Sequence, residues 1–518
     1  MIFDFTFSFL DDFNILRDIL KYQAIDSKIC FKEKIFKEEN SYVFSIKATE
    51  EEMQDFAQKI SLKIPLSINF KFKSLEVSQD DEEEFQETLE ASRDILDAYK
   101  IGSIIQNQDI NEVKKWLHDP KFYNLGALDD FDSSFEVIVQ KLLEKEKILI
   151  NNSRGKLLIS LEKISNQAIF WDIDALKTFL RVDDYQIQAL ASYEKPSMML
   201  CPKEVFVKEF DSEFLECMLP YDLFLGVLGK KCLQNNISYV FTSFAQEDID
   251  IKTSVVYKQE VPIMEQVTVS KNGSILFRDG KKVGSFPKFI STYSKELDCV
   301  ENQRLIVCIS KDNPLFFWIK DRNGYKNTIQ LDFELNPRLL LMMIREYESG
   351  DRLIENFKKT FLFLDEKLEK IDDRSRKTQN IFELFSVIGF ILGYADTLDS
   401  QIILQNARKY LRDKGPRIDF KLLKLDDGII KLDYPRILRS CMSFRLAGVD
   451  DATLSYGILD SMGEFYCNFI QDLYINFSLK KVLVFGNALE EKIILDKILS
   501  NMPRDIDLVL PKKGFLDY

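Results

Sequence analysis

Three places in this 518-residue chain set residue types where an anion could be held. In "ASYEKPSMMLCP" (191–202), Lys195 precedes Pro196 and an apolar run, and its ammonium could meet a phosphate there as a point charge. In "SYVFTSFAQED" (238–248), the run Tyr239-Val240-Phe241 leads to Thr242 and Ser243, which read as two hydroxyls at a strand end, at the mouth of a loop. Arg278 follows a hairpin, "QVTVSKNGSILF", that turns on Asn272-Gly273. Lys195, Thr242, Ser243 and Arg278 are therefore the candidates for a residual nucleotide pocket. The plainer reading of each, a turn, cap or surface residue, stays open beside it.

Other chemistries lack their residues. "GVLGKK" (226–231) has two residues between its glycines where a phosphate loop needs four, and no Ser or Thr follows Lys231. No dinucleotide fingerprint, zinc-protease motif, nucleophile elbow or EF-hand spacing occurs. The eight cysteines include no CxxC pair, which excludes zinc-ribbon spacing and fits reduced cysteines in a cytoplasmic protein. His118 in "KKWLHDP" is the single histidine; it has no second histidine with which to share a metal, so a helix-end or surface role is expected and no metal site is assigned.

The elements that must position these residues follow from length and periodicity. A chain of 518 residues exceeds one hydrophobic core, so three or four domains are expected. The net charge of -14 speaks against a large basic face for nucleic acid. The N-terminus lacks the basic region of a secretory signal. "IFELFSVIGFILGYADTL" (381–398) contains Glu383 and Asp396 and is read as a buried helix, not a membrane span. Residues 1–78 alternate as βαββαβ, the order of a ferredoxin-like sandwich. An acidic stretch opening "QDDEEEFQE" follows, read as a solvated connector over 79–132. Mixed helices and strands run to about 292. From about 300 the chain restarts with "RLIVCIS" and "PLFFWIK", continues through long helices, and ends with the buried strands "KVLVFG" and "IDLVLP" around the helix "ALEEKIILDKILS".

Taken in order, "KPSMM", "LPYD" (219–222) and "YVFTS" resemble the K-P-x-x-M, L-P-Y-T-P-L and T-S-x-N segments of the YrdC-like domain in the HypF family of hydrogenase maturation proteins. "FELFSVIGFILGYADTLDSQIILQNA" (382–407) and "KVLVFGNALEEKIIL" (481–495) are similar to two segments of that family's Kae1-like domain. The resemblance implies a multidomain α/β and α+β architecture: an acylphosphatase-like ferredoxin fold at 1–78, a connector without zinc fingers at 79–132, a YrdC-like α/β domain at 133–292, and a Kae1-like (ASKHA) domain at 298–518. On this reading the chain ends at "LPKKGFLDY", before the family's terminal Asp-Gly-Gly loop.

Departures from the family bear on chemistry. Where acylphosphatases place a phosphate cradle with an arginine, "FSFLDDFN" places two acids. The strand-turn S-G-G-V-F-Q-N of the Kae1-like domain becomes Phe485-Gly486-Asn487-Ala488-Leu489-Glu490-Glu491. Gly486, Asn487 and Glu491 are thus candidate binding residues of an altered turn. The resemblance is strongest to HydE-type relatives, which lack the HypF signatures. It implies an accessory factor in nickel–iron hydrogenase maturation, a pseudoenzyme whose partners are other maturation proteins or hydrogenase subunit precursors. The alternative is an active carbamoyltransferase that makes carbamoyl-adenylate from carbamoyl phosphate and ATP for the cyanide ligands, with Mg²⁺ held by carboxylates. Threonylcarbamoyl-type tRNA modification is a third reading, opposed by the acidic balance. No catalytic residue is assigned, and ATP and Mg²⁺ are the cofactors that only the alternative needs.

Overall fold

The computed structural model describes residues 1–78, 85, 94–125, 131–245, 251, 253–278, 286–296, 304–322, 324–372, 374–426, 429–511 and 517. The chain divides into two compact units, Met1–Val267 and Thr268–Tyr518.

The first unit opens with β1 (Ile2–Phe9), α1 (Asn14–Asp26), β2 (Cys30–Phe36), β3 (Ser41–Lys47), α2 (Glu50–Lys63) and β4 (Phe70–Val77). They form the four-stranded sheet β2-β3-β1-β4, the βαββαβ arrangement read from the alternation. Period two puts Phe3, Phe5 and Phe7 into the core, and Phe5 meets Phe56 of α2 edge to face at 5.5 Å. Helix α2 begins in a capping box, in which the Glu52 carboxylate accepts from Thr49 N–H at 2.8 Å.

Next come α3 (Ala98–Asn107), α4 (Ile110–Trp116), β5 (His118–Tyr123), α5 (Phe131–Leu143), β6 (Ile148–Asn152), β7 (Gly155–Ser160), β8 (Gln167–Phe170), α6 (Ile173–Phe179), β9 (Leu180–Arg181) and α7 (Asp184–Ala191). Then follow β10 (Met198–Pro202), α8 (Val207–Phe210), β11 (Leu215–Met218), α9 (Leu223–Gln234), β12 (Tyr239–Ala245) and β13 (Ser254–Lys258). Strands β5 to β13 make one mixed sheet of nine strands, ordered β5-β13-β6-β7-β12-β8-β11-β10-β9. Two features differ from the sequence reading. Much of the acidic run, 79–84 and 86–93, lies outside the described residues, but 118–123 is the edge strand β5 rather than connector, and His118 stands exposed at its start. The glycines of "GVLGKK" lie within α9, where they allow close packing: a Cβ on Gly226 would meet Ile105 of α3 at 2.5 Å, and one on Gly229 would meet Trp171 at 2.8 Å.

The second unit starts with the hairpin β14 (Val267–Val269) and β15 (Ile275–Phe277), followed by α10 (Phe286–Glu296), β16 (Arg304–Cys308), β17 (Phe316–Asp321), β18 (Gly324–Asn327) and β19 (Phe333–Glu334). Helices α11 (Pro337–Arg345), α12 (Gly350–Thr360) and α13 (Phe363–Glu369) lead through β20 (Lys377–Thr378) to α14 (Ile381–Leu392) and α15 (Ile402–Lys409). The small hairpin β21 (Leu422–Lys424) and β22 (Ile430–Leu432) precedes α16 (Tyr434–Leu446), α17 (Asp451–Asn476), β23 (Lys481–Phe485), α18 (Lys492–Asn501) and β24 (Leu508–Val509). The main sheet runs β18-β17-β16-β23-β24, parallel on the β16-β23-β24 side. Helix α14 is buried nearly throughout, as its apolar sequence requires, and among the described residues no helix is long and apolar enough to cross a membrane.

The unit boundary falls earlier than the expected end of a domain at 292. The hairpin belongs with the second unit because Thr268 Oγ1 donates to the Glu490 carbonyl at 3.0 Å and Lys271 N–H to Asp496 at 2.7 Å.

Candidate functional site

Of the four residues proposed as one pocket, Lys195, Thr242 and Ser243 belong to the first unit and Arg278 to the second, each set by long-range pairing within its unit. In the first unit, Lys195 follows α7 in a left-handed conformation (φ 45°), and its Nζ donates to the Ala191 carbonyl at 2.9 Å. Burial pushes the ammonium down to about 8, a fall that Glu194 opposes and Arg154 adds to. Arg154, in the β6–β7 turn, fixes this segment. Its guanidinium donates to the carbonyls of Glu194 at 2.7 Å, Lys195 at 3.1 Å and Pro262 at 3.1 Å, and lies 4.2 Å from the Tyr221 ring centroid. The "LPYD" segment stands beside it. Asp222 caps α9 by accepting from Leu225 N–H at 2.8 Å and also accepts from the Tyr257 hydroxyl at 2.8 Å. Burial pushes its carboxyl up to about 6, although those two donors and Arg154 pull it the other way.

Thr242 and Ser243 are not at a strand end. β12 runs on to Ala245, with Thr242 opposite Ile159 and Gln167 and Ser243 opposite Leu158. Phe244 packs against the helix-side core and keeps the chain in the sheet. The Thr242 side chain is fully buried and its Oγ1 has no hydrogen-bond partner.

One residue not marked out in the sequence ties these segments together. Glu216 of β11 is buried and accepts from Ser197 Oγ at 2.6 Å, from Gln167 Nε2 at 2.8 Å and from Gln266. Ser197 lies two residues from Lys195, and Gln167 lies opposite Thr242, so Glu216 links the two motifs across the two strands, β8 and β11, that separate β12 from β10. The acid and its amide donors come from separate strands, and nothing local in the sequence marks them.

Arg278 belongs to the second unit. Its Nη2 lies 3.1 Å from Glu490 Oε2, at the Gly486–Glu491 turn of the second unit. There β23 ends in Gly486 at φ 121°, where a Cβ would fall 2.2 Å from the Ile309 carbonyl oxygen, so the turn needs glycine. Asn487 Oδ1 accepts from Lys311 N–H at 2.7 Å, and its Nδ2 donates to Asp312 at 2.6 Å. Lys311 Nζ reaches Glu490 at 3.4 Å and Glu491 at 3.3 Å, while Arg408 Nε lies 2.9 Å from Glu491. Burial alone would raise the Glu491 carboxyl, but Arg408 and Lys311 hold it below its ordinary value. The Asp517 carboxylate accepts from Ser310 Oγ at 2.5 Å and from Asn313 Nδ2 at 3.0 Å.

Within the second unit Arg278, Gly486, Asn487 and Glu491 meet at one turn, together with Lys311 and Arg408, which the sequence did not mark out. The cations that would meet a nucleotide phosphate here already bond to carboxylates of the same chain, and among the described residues no group of three or more His, Cys, Asp or Glu could hold a metal ion. These residues do not fit ATP and Mg²⁺, and no step is assigned through them.

No protein-family model matches the chain. Its fold does match solved HypF structures along almost its whole length. The structure of full-length HypF in a phosphate- and nucleotide-bound form matches with a TM-score of 0.53 and 11% identity over 99% of this chain and 96% of that one. HypF of T. kodakarensis matches with a TM-score of 0.59 and 10% identity over 98% and 95%. The architecture is that of HypF-like proteins. By sequence, the chain is similar to protein HydE of Wolinella succinogenes, 28% identical over 97% of each chain.

Proposed function

We propose that this chain is an accessory factor in hydrogenase maturation: a HypF-shaped protein that works by binding other maturation proteins or hydrogenase subunit precursors, without turning over carbamoyl phosphate. In this reading residues 1–78 are an acylphosphatase-like domain, the rest of the first unit from 133 a YrdC-like domain, and the second unit a Kae1-like domain. HypF architecture and similarity to a HydE protein over the same length support the maturation role. The observation that carries the loss of catalysis is the Gly486–Glu491 turn, where Arg278, Lys311 and Arg408 are bonded to Glu490 and Glu491. A phosphate entering there would compete with two fixed carboxylates for the same donors.

Carbamoyl-phosphate-dependent exchange of labelled pyrophosphate into ATP, with Mg²⁺ present, tests this. The folded protein is expected to show no exchange beside an active HypF. Exchange that disappears in Lys195→Ala or Ser243→Ala would establish the carbamoyltransferase instead. The maturation role is tested separately: deletion of the gene should lower hydrogenase activity in the host, and unchanged activity would remove that part of the proposal.

A further inference from the structure

The face of the second unit's main sheet that carries the apolar cluster of Phe289, Tyr293, Ile306, Cys308, Phe316 and Phe485 also carries one polar row. Register sets Arg304 on β16 directly opposite both Lys320 on β17 and Lys481 on β23. Directly opposed residues share a face on strands about 4.8 Å apart, so three cations stand side by side across the sheet. Arg304 is only 8% exposed, and its Nε and Nη1 are buried without a hydrogen-bond partner. Lys320 Nζ lies 4.8 Å from the Tyr325 ring centroid, and among the described residues no carboxylate pairs with any of the three cations. The carboxylate nearest in register is Asp507, beside Lys481; it is exposed and makes no ion pair with it.

Such a row is unfavourable by itself. Like charges directly opposite one another repel, and a guanidinium out of water without acceptors loses solvation for nothing in return. A bound oxyanion removes both penalties, because the guanidinium fork matches its geometry and the flanking ammonium groups add point charges. Phe286, in the first turn of α10, packs on Trp318 at 5.1 Å, Phe316 at 5.3 Å and Tyr325 at 6.5 Å, so the start of that helix lies along β17, while the cation row marks one end of the sheet. This is the end opposite the Gly486 turn: Arg304 and Lys481 begin the strands that Cys308 and Phe485 end, roughly 13 Å away at about 3.3 Å per residue.

We propose that Arg304, Lys320 and Lys481 form an oxyanion site that takes a phosphate-class ligand, separate from the Gly486 turn. Titration calorimetry of the full chain with inorganic phosphate and with pyrophosphate tests it and tells a single phosphate from a linked pair. Binding of either anion is expected, weakened about tenfold or more in Arg304→Gln, as for a lost hydrogen bond to a charged group, and less in Lys481→Gln. Should Arg304→Gln fail to fold, the half-buried Lys481→Gln decides the matter. Absence of binding of both anions by the wild-type chain, or binding by the folded variants as tight as wild type, overturns the site. A second readout follows from the unpaired charge: anion should raise the melting temperature of the wild type more than that of Arg304→Gln, and an equal rise in both would also count against it.

Discussion

Arg408 reaches across the second unit to Glu491 at the Gly486 turn, its Nε 2.9 Å from Oε2, and the carboxylate is shared with Lys311. Since the Glu491 side chain is only 11% exposed, removing Arg408 leaves a buried carboxylate with Lys311 as its one remaining cation among the described residues. Arg408→Ala is expected to cost about 2–4 kcal/mol of stability, while the paired change Arg408→Met with Glu491→Leu should recover most of it. Urea unfolding of the three variants measures this. A single variant as stable as the wild type would mean that the pair contributes nothing.

The same carboxyl sets a pH dependence. Its folded-state value is held below its ordinary 4.5, so the stabilisation is complete above that value and is lost as pH falls through the lower one. The wild type should therefore weaken in acid more steeply than Glu491→Gln, and parallel acid curves would exclude the linkage.

Asp222 titrates with the opposite sign. Burial lifts it from 3.8 to about 6, so its contribution is fully present below 3.8 and is lost as pH rises through about 6. Melting temperatures between those limits should fall with rising pH in the wild type by more than in Asp222→Asn. The asparagine keeps an acceptor for the α9 cap, which separates the titration from the loss of the cap.

Thr242 holds a buried hydroxyl without a partner. Thr242→Val keeps the shape and removes the unsatisfied group, so it is expected to stabilise the chain by about 1 kcal/mol. Chemical denaturation decides it, and a destabilised valine variant would show that the hydroxyl has an acceptor.

Gly486→Ala puts a Cβ against the Ile309 carbonyl in a backbone conformation that disfavours side chains. The strain alone should cost about 1–3 kcal/mol, with the clash added to it. An alanine variant that melts with the wild type would show that the turn relaxes freely.

What the sequence disclosed was what depends on near neighbours. The Phe3-Phe5-Phe7 alternation marks β1, Thr49 and Glu52 mark the start of α2, and the apolar runs at 304–308 and 481–485 mark the parallel pair β16–β23. Thr242 was misread because the end of β12 is set at a distance: the Phe244 ring packs into a core assembled from helices and strands distant in sequence, and the strand runs on past Thr242. Arg278 was grouped with Lys195 on chemistry alone, whereas its partner Glu490 lies 212 residues on. Glu216 and Arg304 gave no local sign, because a buried charge acquires its meaning from the strands beside it.

Three cations and two carboxylates form the ion-pair cluster at the Gly486 turn, and Asp312 and Asp517 bring two more carboxylates to Asn487 beside it. Glu490 alone engages both Arg278 and Lys311. A single-letter change there, Glu490→Gln, would remove one negative charge, free Arg278 of its carboxylate and leave Lys311 with Glu491 alone, without touching the backbone. The turn is thus one mutation from a change of electrostatic character, and a lineage carrying it could move between binding anions and refusing them while keeping its shape.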